Sequence, residues 1–205
     1  MKIMVLGANG SLGSEICSQL SDKGIEFIPI TRSELDITIN INALEKFINN
    51  LKVNVIINCI AFLGIENCKN NTELALEINS FFPNKLFTIS KENNISFIQI
   101  STECSFACDD IKIKNFENDI AIPNTTYGLT KRLGECLKSE NFYLVRLPLL
   151  FGSTHKNQII SKLTSTAFND DNIKVSNDIY TTPIYTPFVA NWIIENVIDN
   201  FKSFP

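Results

Sequence analysis

Along the chain, short blocks of nearly continuous apolar residues alternate with longer stretches whose apolar positions recur every three or four residues. The blocks are Lys2–Leu6, Ile25–Ile30, Val53–Asn58, Ile95–Ser101 and Tyr143–Leu147. They are rich in β-branched residues, the pattern of strands buried on both faces. Between them, Ser11–Lys23, Ile41–Leu51, Thr72–Lys91 and Tyr127–Glu140 read as helices. Strand–helix alternation at this spacing predicts an α/β fold, a Rossmann-type doubly wound parallel sheet with helices on both faces. Past Phe151 the pattern thins to a helix over Ile159–Phe168, a short strand at Ile173–Val175 and a last helix over Thr186–Ile198. The expected division is a main domain over residues 1–152 and a small C-terminal lobe over 153–205, partly packed on it. No internal repeat or low-complexity tract interrupts this order.

Composition narrows the class. A chain of 205 residues makes one large domain, or one domain plus a small lobe, and buries enough surface to need no disulfide or metal staple. Hydrophobic residues at 44% and charged residues at 20% fit a globular protein and exclude a disordered or fibrous one. The net charge of −4 carries no nucleic-acid footprint. The apolar run after Lys2 is too short for a signal peptide, and no stretch reaches membrane-spanning length. Six cysteines (Cys17, Cys59, Cys68, Cys104, Cys108, Cys136) form neither C-x-x-C pairs nor a metal-ligand spacing. They read as small hydrophobes in a reducing, cytoplasmic setting. The single His155 reads as a solvated loop residue with no metal role.

Candidate chemistry begins where the first strand meets the first helix, at Gly7-Ala8-Asn9-Gly10-Ser11-Leu12-Gly13. In this G-x-x-G-x-x-G turn, Gly7 permits the tight bend. Gly10 lets backbone approach a pyrophosphate, and Gly13 lets helix and strand pack closely. The helix N-terminus adds unpaired N–H groups and a positive dipole end. The second strand ends in Thr31-Arg32-Ser33, with a cation and no acid at its tip. Such an Arg suits the 2′-phosphate of NADP(H), so NADP(H) is preferred and NAD(H) stays open. Asp36 and Ile37 are then expected to border the adenine. Farther on, Tyr127 and Lys131 stand four apart on one helix face. The ammonium is expected to lower the phenol's pKa and make it an acid/base near neutrality. Thr102 (or Ser101) ends the fourth strand, at the edge where open α/β sheets bind ligands.

Taken together, these segments resemble the extended short-chain dehydrogenase/reductases, and most closely the dTDP-4-dehydrorhamnose reductase branch. The resemblance rests on the Gly7–Gly13 turn, Leu35-Asp36-Ile37-Thr38, Asn54–Cys59, Glu77-Ile78-Asn79 with Pro83, and Ile100–Glu103. It continues through Tyr127–Glu135, Val145-Arg146, Phe151-Gly152, Asn177-Asp178 and Thr182–Pro187. It implies Thr102, Tyr127 and Lys131 as the catalytic triad. It also implies cofactor contacts along Gly7, Asn9, Gly10, Ser11, Leu12 and Gly13, at Arg32, Asp36 and Ile37, at Cys59, Ile60 and Ala61, and at Asn79, Tyr127 and Lys131. The implied reaction is NAD(P)H-dependent reduction of a nucleotide-linked 4-keto-deoxysugar for surface polysaccharide. Epimerisation or dehydration on the same fold, or a non-catalytic cofactor-binding regulatory subunit, are the alternatives.

Pro83 lacks an N–H, so in a helix it leaves the Asn79 carbonyl without its usual donor. That carbonyl is expected to hold a water serving Lys131, the alternative being a simple helix kink packed on the sheet. Two departures from the family pattern stand out. Cys104 replaces the usual tyrosine after Ser101-Thr102, and the stretch after Phe151 is expected to form only an abbreviated substrate lobe. The apolar face around Trp192, Ile193, Ile194, Val197 and Ile198 reads as core, or as a surface for a second copy of the chain in a homo-oligomer.

Overall fold

In the computed structural model, the described residues are 1–35, 38, 40–106, 115–116, 118–135, 140–152, 159–168 and 181–198. Strand β1 (Ile3–Leu6) runs into helix α1 (Ser11–Asp22), then come β2 (Phe27–Ile30), α2 (Ile41–Leu51) and β3 (Val55–Asn58). Helices α3 (Ile65–Asn70) and α4 (Thr72–Leu76) are next, then α5 (Phe82–Glu92), β4 (Ser96–Thr102), α6 (Thr126–Leu133) and β5 (Phe142–Leu147). The chain continues with β6 (Leu150–Phe151), α7 (Ile159–Phe168), β7 (Ile184–Tyr185) and α8 (Thr186–Ile193).

The main sheet is five-stranded, all parallel, in the order β2-β1-β3-β4-β5. Strand alternation splits the core into two layers. Ile3 and Val5 of β1 face α1 and α8, with Ile16, Leu20, Val189, Ala190 and Ile193. Met4 and Leu6 face α2 and α5, with Leu44, Ile48, Phe82, Leu86 and Ile89. Burial on both faces explains the near-continuous apolar strands. Strand order reverses between β1 and β3, so the ligand crevice of this topology opens at their carboxyl ends.

Two expected helices differ in detail, and one helix is unexpected. The stretch 72–91 is broken by a π-helical turn at Glu77–Phe81, which absorbs Pro83 by widening the helix ahead of it. The helix from Tyr127 stops at Leu133 rather than 140, because Gly134 caps it hard against α4–α5. Helix α3 was not expected; it starts after Gly64, whose φ of +97° suits glycine. The expected strand at 173–175, His155, Cys108, Cys136 and Asn177-Asp178 lie outside the described residues. Helix α8, beyond the expected domain boundary, packs into the same core cluster as β1 and α1. There Ile193, Ile194, Val197 and Ile198 are buried, while Trp192 is exposed.

Candidate active site

The glycine turn has the close packing its spacing demands. Gly7 sits at φ +77°, and its N–H donates to the Ile30 carbonyl at 2.9 Å. A Cβ on Gly7 would lie 3.2 Å from the backbone of Cys59 and Ile60. A Cβ on Gly13 would lie 2.2 Å from the Gly7 carbonyl oxygen, so α1 rests directly on the turn. Asn9 and Gly10 are exposed, and no side chain caps α1 at Gly10. The first-turn N–H groups of Ser11, Leu12 and Gly13 therefore open on one rim with a positive dipole end. The Leu12 side chain belongs to the core, which leaves its backbone for any ligand. Cys59, Ile60 and Ala61 continue from β3 along the same rim, half-buried, with the Ile60 N–H held by Asn58 Oδ1 at 3.1 Å.

Across the crevice, Thr102 ends β4 and is buried. Its Oγ1 accepts from the Cys104 N–H at 3.2 Å and caps the short 3₁₀ turn Glu103–Ser105. The Tyr127 phenol lies beside the Thr102 side chain. Tyr127 opens α6, whose N-cap Thr125 accepts from the Gly128 N–H at 3.0 Å. Glycine at 128 is required: a Cβ there would stand 2.0 Å from the Cys104 carbonyl oxygen. Lys131 is only 3% exposed and donates from Nζ to the Ile100 carbonyl at 2.7 Å. Burial pulls its pKa down to about 8, with the neighbouring Cys59 and Glu135 opposing. Thr102, Tyr127 and Lys131 thus gather at the carboxyl end of β4, and Lys131 reaches toward Cys59, on which Gly7 packs.

Several expectations change. The ammonium is not among the groups that shift Tyr127. Burial pushes the phenol above its ordinary range, the neighbouring Cys104 and Cys68 add to this, and the nearby Thr102 side chain opposes it. The phenol is therefore a protonated acid at neutral pH. Asn79 has its side chain fully engaged: Oδ1 accepts from the Phe62 N–H at 2.8 Å, and Nδ2 donates to the Phe62 carbonyl at 3.0 Å and Thr130 Oγ1 at 3.1 Å. Its carbonyl is covered by Gly134, where a Cβ would be 2.0 Å away. The asparagine side chain pins Phe62, at the end of the rim, to α6. Arg32 is exposed just past the tip of β2, but an acid stands there too. Glu34 turns back so that Oε2 accepts from the Thr31 N–H and Oγ1, both at 2.7 Å. Asp36 and Ile37 lie outside the described residues.

Two features were missed. Glu135, read only as part of a motif, is a buried carboxylate with four donors. Ser101 and Ser105 hydroxyls reach Oε1 at 2.8 and 2.7 Å, and Arg146 donates from Nε to Oε1 at 2.9 Å and from Nη2 to Oε2 at 2.7 Å. Glu103 is held by the Thr181 hydroxyl. Among the described residues, no cluster of His, Cys, Asp and Glu could hold a metal, and no helix is long and apolar enough to cross a membrane.

A glycine turn at the switch point of a parallel sheet, facing a Tyr-x-x-x-Lys helix and a strand-end Thr, defines a Rossmann-type short-chain dehydrogenase/reductase. More narrowly, the family model described as RmlD substrate binding domain matches residues 1–203, and the chain belongs to that family. The dTDP-4-dehydrorhamnose reductase of Mycolicibacterium smegmatis is 27% identical over 199 residues, covering 96% of this chain and 60% of the relative. The crystal structure of a dTDP-4-dehydrorhamnose reductase from Clostridium acetobutylicum superposes with a TM-score of 0.89 at 35% identity, covering 98% of this chain and 71% of that one. The enzyme of the same name from Bacillus anthracis, solved in complex with NADP, shares the fold with a TM-score of 0.81 at 22% identity, over 94% of this chain and 69% of that one.

Proposed function

We propose that this protein is a cytoplasmic, NADPH-preferring reductase of the 4-keto group of a nucleotide-activated deoxysugar. The observation that carries the reading is the convergence of buried Thr102, the buried Tyr127 phenol and buried Lys131 at the carboxyl end of β4, where Lys131 Nζ donates to the Ile100 carbonyl at 2.7 Å. The names of the relatives, and the NADP held by one of them, support the substrate and cofactor classes.

The residues fit a dinucleotide. The cradle at Gly7–Gly13 has no space for a Cβ at Gly13, and the uncapped start of α1 presents N–H groups suited to a pyrophosphate. Arg32 would meet a 2′-phosphate; Glu34 at the same tip could accept from a ribose 2′-hydroxyl, which keeps NAD(H) usable. When bound, NADPH supplies the hydride for the keto carbon. The chain supplies the rest. Thr102 donates a hydrogen bond to the keto oxygen and orients the sugar. Tyr127, kept protonated by burial, gives its phenolic proton to that oxygen as charge gathers there. Lys131, cationic at neutral pH, offsets the resulting phenolate. Positioned proton transfer of this kind is worth ~10²–10⁴-fold in rate.

The test is NADPH oxidation with a panel of 4-keto-sugar nucleotides, dTDP-4-dehydrorhamnose first, with product analysis. Tyr127→Phe should bind NADPH normally and lose turnover by ~10²-fold or more. A Phe variant that reduces the substrate at the normal rate refutes the role of Tyr127.

A further inference from the structure

The proposed reaction requires the Thr102 hydroxyl and the Tyr127 phenol to meet on one oxygen. They come from different elements, a strand-end turn and a helix start, so something must fix the gap between them. Direct contact between the two side chains cannot do so during turnover, because the substrate oxygen must stand between them.

Glu135 stands where such a fixing group is needed. Its Oε1 accepts from Ser101, immediately before Thr102, and from Ser105, immediately after Cys104. One oxygen therefore holds both ends of the Thr102–Cys104 turn. The same residue directly follows the α6 C-cap, one helical turn past Lys131 and two past Tyr127. Arg146 grips both carboxylate oxygens, and it is the sheet partner of Ser101 across the β4–β5 register. The Arg146 guanidinium lies 5.0 Å from the Phe106 ring centroid, closing the far side of the turn. The Glu135 side chain is fully buried, Arg146 is 19% exposed, and the more exposed Arg132 stands 3.5 Å from Oε2. A buried acid that merely tied helix to sheet would need the arginine alone. The two serine donors, placed on either side of Thr102, add a constraint on the reactive turn itself.

We propose that Glu135, fixed by Arg146, is a positioning residue that sets the reach between the Thr102 hydroxyl and the Tyr127 phenol by clamping the 101–105 turn to α6. This rests on the reductase reading for its kinetic consequence but not for its geometric one. It touches neither substrate nor cofactor.

The clean perturbation is the double variant Ser101→Ala/Ser105→Ala, which releases the turn yet leaves the Glu135–Arg146 pair intact. If that variant fails to fold, Ser105→Ala alone is used. Three readouts are taken: NADPH dissociation constant, kcat and KM for dTDP-4-dehydrorhamnose, and the rate of Cys104 alkylation by iodoacetamide in the cofactor-free protein, monitored by peptide mass spectrometry. Cys104 is a local reporter because its backbone N–H donates to Thr102 Oγ1 at 3.2 Å and the residue is half-buried. The expected result is NADPH affinity within twofold of wild type, KM within threefold, kcat lowered at least tenfold and Cys104 alkylation at least fivefold faster. A folded variant with unchanged alkylation, or with unchanged kcat, overturns the clamp. Wild-type protein that turns over no keto-sugar nucleotide overturns the reductase reading instead, and alkylation still decides the clamp.

Discussion

Gly128→Ala separates contact geometry from helix propensity at the reactive centre. Gly128 lies within α6 outside the left-handed region of backbone space, so alanine meets no backbone strain there. On propensity alone the change should stabilise the helix by about 1 kcal/mol. The added Cβ, however, falls 2.0 Å from the Cys104 carbonyl oxygen and 3.0 Å from Pro123 Cβ. Reaching an ordinary 3.4 Å contact requires the turn and the helix to part by about 1.4 Å. Overpacking of this kind costs ~1–3 kcal/mol, which outweighs the propensity gain. For a chain of this size each 1 kcal/mol lowers Tm by roughly 2–4 °C. The larger effect should be kinetic, since a displacement near 1 Å between reacting groups costs ~10²-fold. The assay is stopped-flow NADPH oxidation with dTDP-4-dehydrorhamnose, beside a fluorescence titration with NADPH. We expect kcat down ~10²-fold and cofactor affinity within twofold, because the Gly7–Gly13 cradle lies across the crevice. A kcat within threefold of wild type together with a raised Tm would show that the turn yields freely, and the contact argument would fail.

The same geometry sets three further outcomes. Gly13→Ala places a Cβ 2.2 Å from a backbone oxygen that cannot swing away, so NADPH should bind at least tenfold more weakly, as read by titration calorimetry, with a lowered Tm. Arg32→Ala should cut the preference for NADPH over NADH by roughly 10- to 100-fold, the value of a charge-assisted hydrogen bond, measured as a ratio of kcat/KM values. Lys131 has a folded pKa of about 8 against an unfolded value of 10.5, so the unfolded chain binds more protons between them. Stability should therefore rise as pH climbs through that window, and Lys131→Met should be stabilising at pH 7, with the advantage fading toward pH 10.5. Urea melts at a series of pH values check this, and a flat difference between the two proteins contradicts it.

The strands were legible because each is buried on both sides and so leaves an uninterrupted apolar block; Val55–Asn58 and Ser96–Thr102 fall within two residues of the expected runs. The glycine turn was legible because only glycine fits at Gly7 and Gly13, which ties spacing directly to geometry. Acidity was not. Four-residue spacing placed Lys131 on the Tyr127 face, but burial acts on the phenol and ammonium separately, and burial is a tertiary quantity. Glu135 was illegible for a related reason: Ser101, Ser105 and Arg146 reach it only through sheet pairing and the return of α6. Pro83 marked an irregular helix, yet whether the chain kinks or widens depends on what packs against it, here Gly134 on the Asn79 carbonyl.

The short parallel pair β6–β7 brings Leu150 beside Ile184 and Phe151 beside Tyr185, with Gly152 folded under the Tyr185 ring. Residues 151 and 184 thus lie on paired strands, while α8 beyond them completes the layer over α1. Lengthening a segment whose ends are already tied together costs little entropy, about 0.6 kcal/mol per doubling. The arrangement is a cassette slot. The length of the intervening segment can therefore change without disturbing the five-stranded sheet.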